Sequence, residues 1–154
     1  MNAEQIMTPQ PVVATPDVPL QGSAELMVEY DCGEIPIVDN RESMRPIGVV
    51  TDRDITCRVV AKGINPLMLT AKDCMSSPCL AIERAADVGD CCRLMEQHQV
   101  RRLLVVNRAG QLCGIISQAD IAEFAAERDA VELVREVSQR SPGASSVDLP
   151  SPPI

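Results

Sequence analysis

Apolar residues along this chain come in two rhythms, and both rhythms come twice. An early turn of helix near residues 3–7 is capped by Asn2 and broken by Thr8-Pro9-Gln10-Pro11. Val12-Val13-Ala14 reads as a short strand. Asp17 is then placed to cap a helix, with Pro19 in its first turn, where a missing N–H costs little. Leu20, Ser23, Ala24, Met27 and Val28 give that helix one buried face at helical spacing. Ile35-Pro36-Ile37-Val38 and residues 47–50 form a hairpin around a polar turn at 39–46. The second hairpin strand runs into a helix over 52–61, with Ile55, Val59 and Val60 inward and Gly63 as its stop.

After a linker at 64–69, the order repeats. Thr70-Ala71-Lys72-Asp73 is a capping box, Ser76-Ser77-Pro78 a break, and Cys79-Leu80-Ala81-Ile82 a strand. The helix stripe Val88, Cys91, Cys92, Met95 lies 68 residues after Leu20, Ser23, Ala24, Met27. Leu103-Leu104-Val105-Val106 keeps the same offset from the first hairpin strand. A turn shorter by two residues brings the final pair to 66: Gly48-Val49-Val50-Thr51-Asp52-Arg53-Asp54 returns as Gly114-Ile115-Ile116-Ser117-Gln118-Ala119-Asp120. The organisation expected is therefore a duplicated unit over 1–63 and 70–126, a helix over 127–140, and a disordered tail over 141–154 with four prolines and four serines. The fold class is α/β in the α+β sense: two β-α-β-β-α repeats packed sheet to sheet with pseudo-twofold symmetry. One such unit can hardly bury its sheet and helices alone, whereas 154 residues together can bury roughly 70% of the unfolded surface.

The repeated heptapeptide carries the candidate chemistry. It delivers a hydroxyl residue at a helix N-cap and a carboxylate three residues later. A helix start with open N–H groups, a hydroxyl and an aspartate can hold a phosphate, a ribose, or nothing beyond its own cap. Charge narrows the field. A formal net charge of −8, with Tyr30 and Phe124 the only aromatics, argues against nucleic acid and against anionic membrane surfaces. No apolar run approaches the roughly 20 residues of a membrane span, and residues 1–10 lack the regions of a signal peptide, so a cytoplasmic protein is expected. The seven cysteines are odd in number, form no CxxC and fall largely on apolar stripes, so they read as small core residues rather than a disulfide or zinc framework. One histidine, His98, provides no Ser-His-Asp or Cys-His set, so no enzyme is expected.

The duplicated pattern resembles a tandem pair of CBS (cystathionine-β-synthase-type) domains, a Bateman module, over roughly residues 3–126. Ile6-Met7-Thr8-Pro9 and Cys74-Met75-Ser76-Ser77-Pro78 open the two units; Ile35-Pro36-Ile37-Val38-Asp39, residues 100–106 and the two Gly-containing heptapeptides complete the resemblance. It implies a stand-alone regulatory module with two clefts between its units, and a homodimer. It implies an adenosyl ligand, such as AMP, ADP, ATP, NAD or S-adenosylmethionine, with no required cofactor, and an effector protein as partner. Carried onto this chain, the ribose contacts fall on Asp54 and Asp120, with hydroxyl support from Thr51 and Ser117. The base falls against Val13, Ala14, Ile35 and Pro36, or against Leu80, Ala81, Leu103 and Leu104. Phosphate contacts fall on Arg101 and Arg102 in the second unit, where the first has Gly33 and Glu34. Glu34 would repel a phosphate, so the Ser117/Asp120 copy is the expected working site. Arg53 and Arg58 are further residues within possible reach of a phosphate. The alternatives are an interaction dimer without nucleotide and a thiol- or metal-responsive switch.

Overall fold

The computed structural model describes residues 1–124 and 127–138. The elements are α1 (Ala3–Ile6), β1 (Thr8–Pro9), α2 (Leu20–Glu29), β2 (Glu34–Val38), β3 (Pro46–Thr51), α3 (Asp52–Asp54), α4 (Ala71–Cys74), β4 (Ala81–Glu83), α5 (Val88–His98), β5 (Arg102–Val106), β6 (Leu112–Ser117), α6 (Gln118–Phe124) and α7 (Glu127–Ser138). They form two CBS-like repeats, as the duplication leads one to expect.

The repeats are interlocked at their openings. Helix α1 packs Ala3 and Ile6 into the core of the second repeat, beside Val88, Cys91, Cys92, Met95, Leu103, Val105, Ile116 and Ile121. Helix α4 does the reverse, placing Ala71 and Cys74 among Ala14, Leu20, Met27, Ile35, Ile37, Val50 and Val59 of the first. Main-chain bonds tie each helix down: Ala3 N donates to Ala86 O at 2.8 Å, and Ala71 N to Val18 O at 2.8 Å. Each short helix has a capping box, Asn2 with Gln5 and Thr70 with Asp73, which satisfies N–H groups that a four-residue helix would otherwise leave open.

The sheets follow the same exchange. One has the order β1-β6-β5-β4, with β1 antiparallel to β6 through Thr8 opposite Ile115 and Pro9 opposite Gly114. The other is the β2-β3 hairpin, flanked by single bridges from Ala14 to Ile37 and from Val49 to Ser76. The sheets meet across Val13, Val38, Leu104 and Leu112, with Val49 and Ile115 packed against them. This is the expected sheet-to-sheet seam.

Several local features differ from the sequence expectation. Residues 12–14 make one bridge rather than a strand: Ala14 N donates to Pro36 O and Val38 N to Ala14 O, but Pro36 has no N–H to donate to Val12 O and extend the ladder. Helix α2 begins at Leu20 with Pro19 in the capping place and no side-chain cap, so Asp17 does not perform that role. The helix expected over 52–61 is three pieces: the single turn α3, a π-helical turn at Ile55–Val59, and a 3₁₀ turn at Val60–Lys62 closed by Gly63 at φ +69°. Helix α7 carries Val137 against the second core, while Val131 and Val134 are exposed. The tail expected over 141–154 lies outside the described residues.

Candidate functional site

Both copies of the repeated motif fold into the same reciprocal cap. In the first, Asp54 N donates to Thr51 Oγ1 at 3.0 Å, and Thr51 N donates to Asp54 Oδ2 at 3.1 Å. In the second, Asp120 N donates to Ser117 Oγ at 3.2 Å, and both Ser117 N and Ser117 Oγ donate to Asp120 Oδ2, at 2.7 and 2.6 Å. An aspartate rather than a glutamate suits this cap, because its carboxylate folds back on the amide three residues earlier.

The caps change what the motif can bind. Asp52 N donates to Gly33 O at 3.1 Å and Arg53 N to Asp52 Oδ1 at 2.7 Å, so all four amides from Thr51 to Asp54 are engaged. At the second copy Gln118 N donates to Arg101 O at 2.9 Å, so three of the four amides from Ser117 to Asp120 are engaged. The open anion-binding helix start that the sequence suggests is largely closed by the protein's own acceptors.

The copies differ in their carboxylates. Asp54 Oδ1 lies 3.7 Å from Arg58 Nε, and Arg58 also donates from Nη1 to the carbonyls of Cys74 and Met75, at 3.4 and 3.3 Å. Arg58 thus ties Asp54 to the end of α4 rather than reaching into a cleft. Asp120 Oδ1 accepts no hydrogen bond among the described residues and remains available.

A cavity of about 460 Å³ opens at the second copy. That volume falls in the range of small-molecule sites. It is a junction of both repeats: Ser117, Asp120, Arg102 and Ile115 come from the second, and Val12, Pro36, Glu34, Cys32, Asp31 and Tyr30 from the first, with Thr8, Gln10 and Pro11 from the connecting segment. Of the residues expected from sequence, it gathers Ser117, Asp120, Arg102 and Pro36. Ala14, Ile35 and Leu103 are buried in the repeat cores, and Val13 lies in the seam between sheets. Leu80 is half-buried against the second core, and Ala81 is exposed on β4. Arg101 is exposed and lies outside the cavity wall, as do Thr51 and Asp54.

Sequence reasoning passed over Tyr30, Asp31, Val12, Thr8 and Gln10. A signal existed for Asp31. It ends α2 in the left-handed conformation, φ 49°, and Gln99 ends α5 the same way at φ 53° in the matching place 68 residues on. Cys32 N then donates back to Met27 O, and Val100 N to Met95 O, both at 3.0 Å. This turn carries Tyr30, Asp31 and Cys32 to the cavity rim. The meeting of Thr8 with Ile115 depends on a pairing across the chain that no local rhythm carries.

The electrostatics of the cavity centre on Glu34. It is half-buried, and burial raises its carboxyl above the usual range; Arg102 works against that rise and Asp54 adds to it. Four of the thiols are poor nucleophiles. Burial, with Cys92 beside it, pushes Cys91 up to about 11, and burial also raises Cys74, Cys79 and Cys113. No group of three or more metal-ligating side chains gathers among the described residues, and no helix there is long and apolar enough to cross a membrane.

Comparison with known proteins fits this geometry. The uncharacterized protein MK0525 of Methanopyrus kandleri is 36% identical over 97 residues, 63% of this chain; the chain spans about half of that relative, 48%. Hypoxic response protein 1 of Mycobacterium tuberculosis is 32% identical over 118 residues, covering 77% of this chain and 80% of the relative. The CBS domain protein PAE2072 from Pyrobaculum aerophilum, solved in complex with AMP, superposes with a TM-score of 0.73 at 25% identity, covering 88% of this chain and 99% of that one. The CBS domain model matches residues 3–60 and 71–127, and the chain belongs to the CBS-domain family.

Proposed function

We propose that this protein is a regulatory module that binds an adenosyl ligand in the cavity between its repeats and signals occupancy to a partner protein. One observation carries the reading. The cavity brings Asp120 of one repeat, whose Oδ1 is unengaged among the described residues, together with the apolar Val12 and Pro36 of the other. A ribose diol donates to the carboxylate oxygen, as it does to acidic residues in other nucleotide folds, while a purine covers the apolar wall. The AMP held by PAE2072 supports the adenosyl class.

A ligand here touches both repeats at once. It therefore favours whichever relative arrangement of the repeats it fits best, and that differential affinity is the signal. In this reading the protein is not an enzyme and works in the cytoplasm as a homodimer. The exposed Val28, Leu67 and Met68, on α2 and the adjoining 3₁₀ turn at Pro66–Met68, supply apolar surface for the dimer.

Calorimetric titration with adenosine tests the reading. Asp120→Ala removes a charged hydrogen-bond acceptor and is expected to weaken binding about tenfold or more, while Asp54→Ala changes it by less than about threefold. Unfolding midpoints of both variants separate lost binding from lost capping. No adenosine binding, or a larger effect from Asp54→Ala, would overturn the proposal.

A further inference from the structure

The two repeats are not charged alike where they meet the cavity. Glu34 occupies on β2 the place that Arg102 occupies on β5, 68 residues later, and Asp31 occupies the place of Gln99. Because the cavity combines the rim of the first repeat with the helix start of the second, it collects Asp31, Glu34 and Asp120 against the single guanidinium of Arg102. The helix start brings little compensating positive end, since three of its four amides already serve Asp120, Ser117 and Arg101. A phosphate in this cavity faces an excess of carboxylates with one partner, and each additional phosphate makes the mismatch worse.

We infer that the cavity selects an adenosyl ligand whose 5′ substituent is neutral or cationic over one carrying phosphates, and that Glu34 is the residue that sets this preference. The inference rests on the adenosyl reading of the cavity. Glu34 faces Arg102 from β5, Asp54 from α3 and the Cys79 thiol, while Asp31 and Asp120 share the cavity wall with it. Arg102 is thus partly engaged in balancing a carboxylate, which leaves less of its field for an incoming anion. A sulfonium or ammonium group meets the opposite situation: Asp31 and Glu34 attract it, and the Tyr30 ring lies on the same rim.

The test is calorimetry on the full chain with adenosine, S-adenosylmethionine, AMP and ATP, counting for each ligand the binding that Asp120→Ala removes. S-adenosylmethionine, whose sulfonium and ammonium outweigh its carboxylate, is expected to bind at least as tightly as adenosine. AMP is expected to bind about fivefold or more weakly than adenosine, and ATP more weakly still. Glu34→Gln is expected to bring AMP about fivefold closer to adenosine, and its unfolding midpoint reports that the variant is folded. On the unaltered protein, raising the salt from about 0.05 to about 0.5 M is expected to narrow the gap between adenosine and AMP, because it shortens the reach of exposed charges. AMP binding more tightly than adenosine, or a gap that neither Glu34→Gln nor salt moves, would overturn the selectivity and leave the adenosyl reading standing. No binding by any of the four overturns both.

Discussion

Glu34 and Arg102, and Ser23 and Cys91, are pairs of matched positions that duplication left chemically different. The first pair shapes the cavity. The second lies buried in the two cores. Ser23 is fully buried on the inner face of α2, and its hydroxyl is buried with no hydrogen-bond partner among the described residues. Its counterpart Cys91 fills the same place on α5 with a thiol that needs none. A buried hydroxyl without a partner forfeits its hydration, and replacing it with an apolar group recovers part of that loss. Ser23→Ala is therefore expected to stabilise the protein by about 1 kcal/mol, read as a denaturant midpoint shifted upward at unchanged slope. A lower midpoint would show that the hydroxyl has a role the structure does not display. At this scale the sequence was informative about type and silent about environment. The stripe Leu20, Ser23, Met27 marks Ser23 as inward, but spacing cannot say whether a partner waits for it.

The elements that explain the repeated motif are the short openings of each repeat, not the helix the motif begins. A side chain at Gly48 would meet Met75 Sδ and Ser76 O, both at 2.8 Å; one at Gly114 would meet Met7, with its Cγ at 2.8 Å. The leading glycine thus leaves room for the segment that crosses from the other repeat. The two sites differ in how easily the obstacle yields. Met7 is a flexible side chain, whereas Ser76 O belongs to the backbone and is held by Val49 N at 3.0 Å. Gly48→Ala is expected to cost about 1–3 kcal/mol. Gly114→Ala is expected to cost less, and to add less than its own cost when combined with Met7→Ala. Chemical denaturation of the unaltered protein, the three single variants and the double variant checks this; equal, additive losses would contradict it. The helices and hairpins were legible because their apolar spacing is local, as at Val88, Cys91, Cys92 and Met95. The exchange of α1 and α4 was not, because a capped turn such as Asn2–Gln5 looks the same whichever core receives Ile6.

Across the whole molecule, that exchange decides where the cavity lies. Because β1 pairs with β6 and α1 enters the second core, the chain after Pro9 crosses back along the seam. It carries Gln10, Pro11 and Val12 past Ser117 and Asp120. The cavity is therefore a property of the interlocked pair, and neither repeat contains it alone. Sequence pattern named Asp120, Arg102 and Pro36, which the cavity gathers, but it assigned Glu34 to the other copy's cleft, whereas Glu34 lines the same cavity as Ser117 and Asp120. It placed Ile35 and Leu103 beside the base, whereas both are sealed in the cores, since alternate residues of a strand point to opposite faces. The most direct test of a binding site shared by both repeats is a crystal structure grown with saturating adenosine. The expected result is one nucleoside in the cavity, its ribose within hydrogen-bonding distance of Asp120 Oδ1 and its base against Val12 and Pro36. An empty cavity at saturation, or adenosine bound only elsewhere, would contradict it.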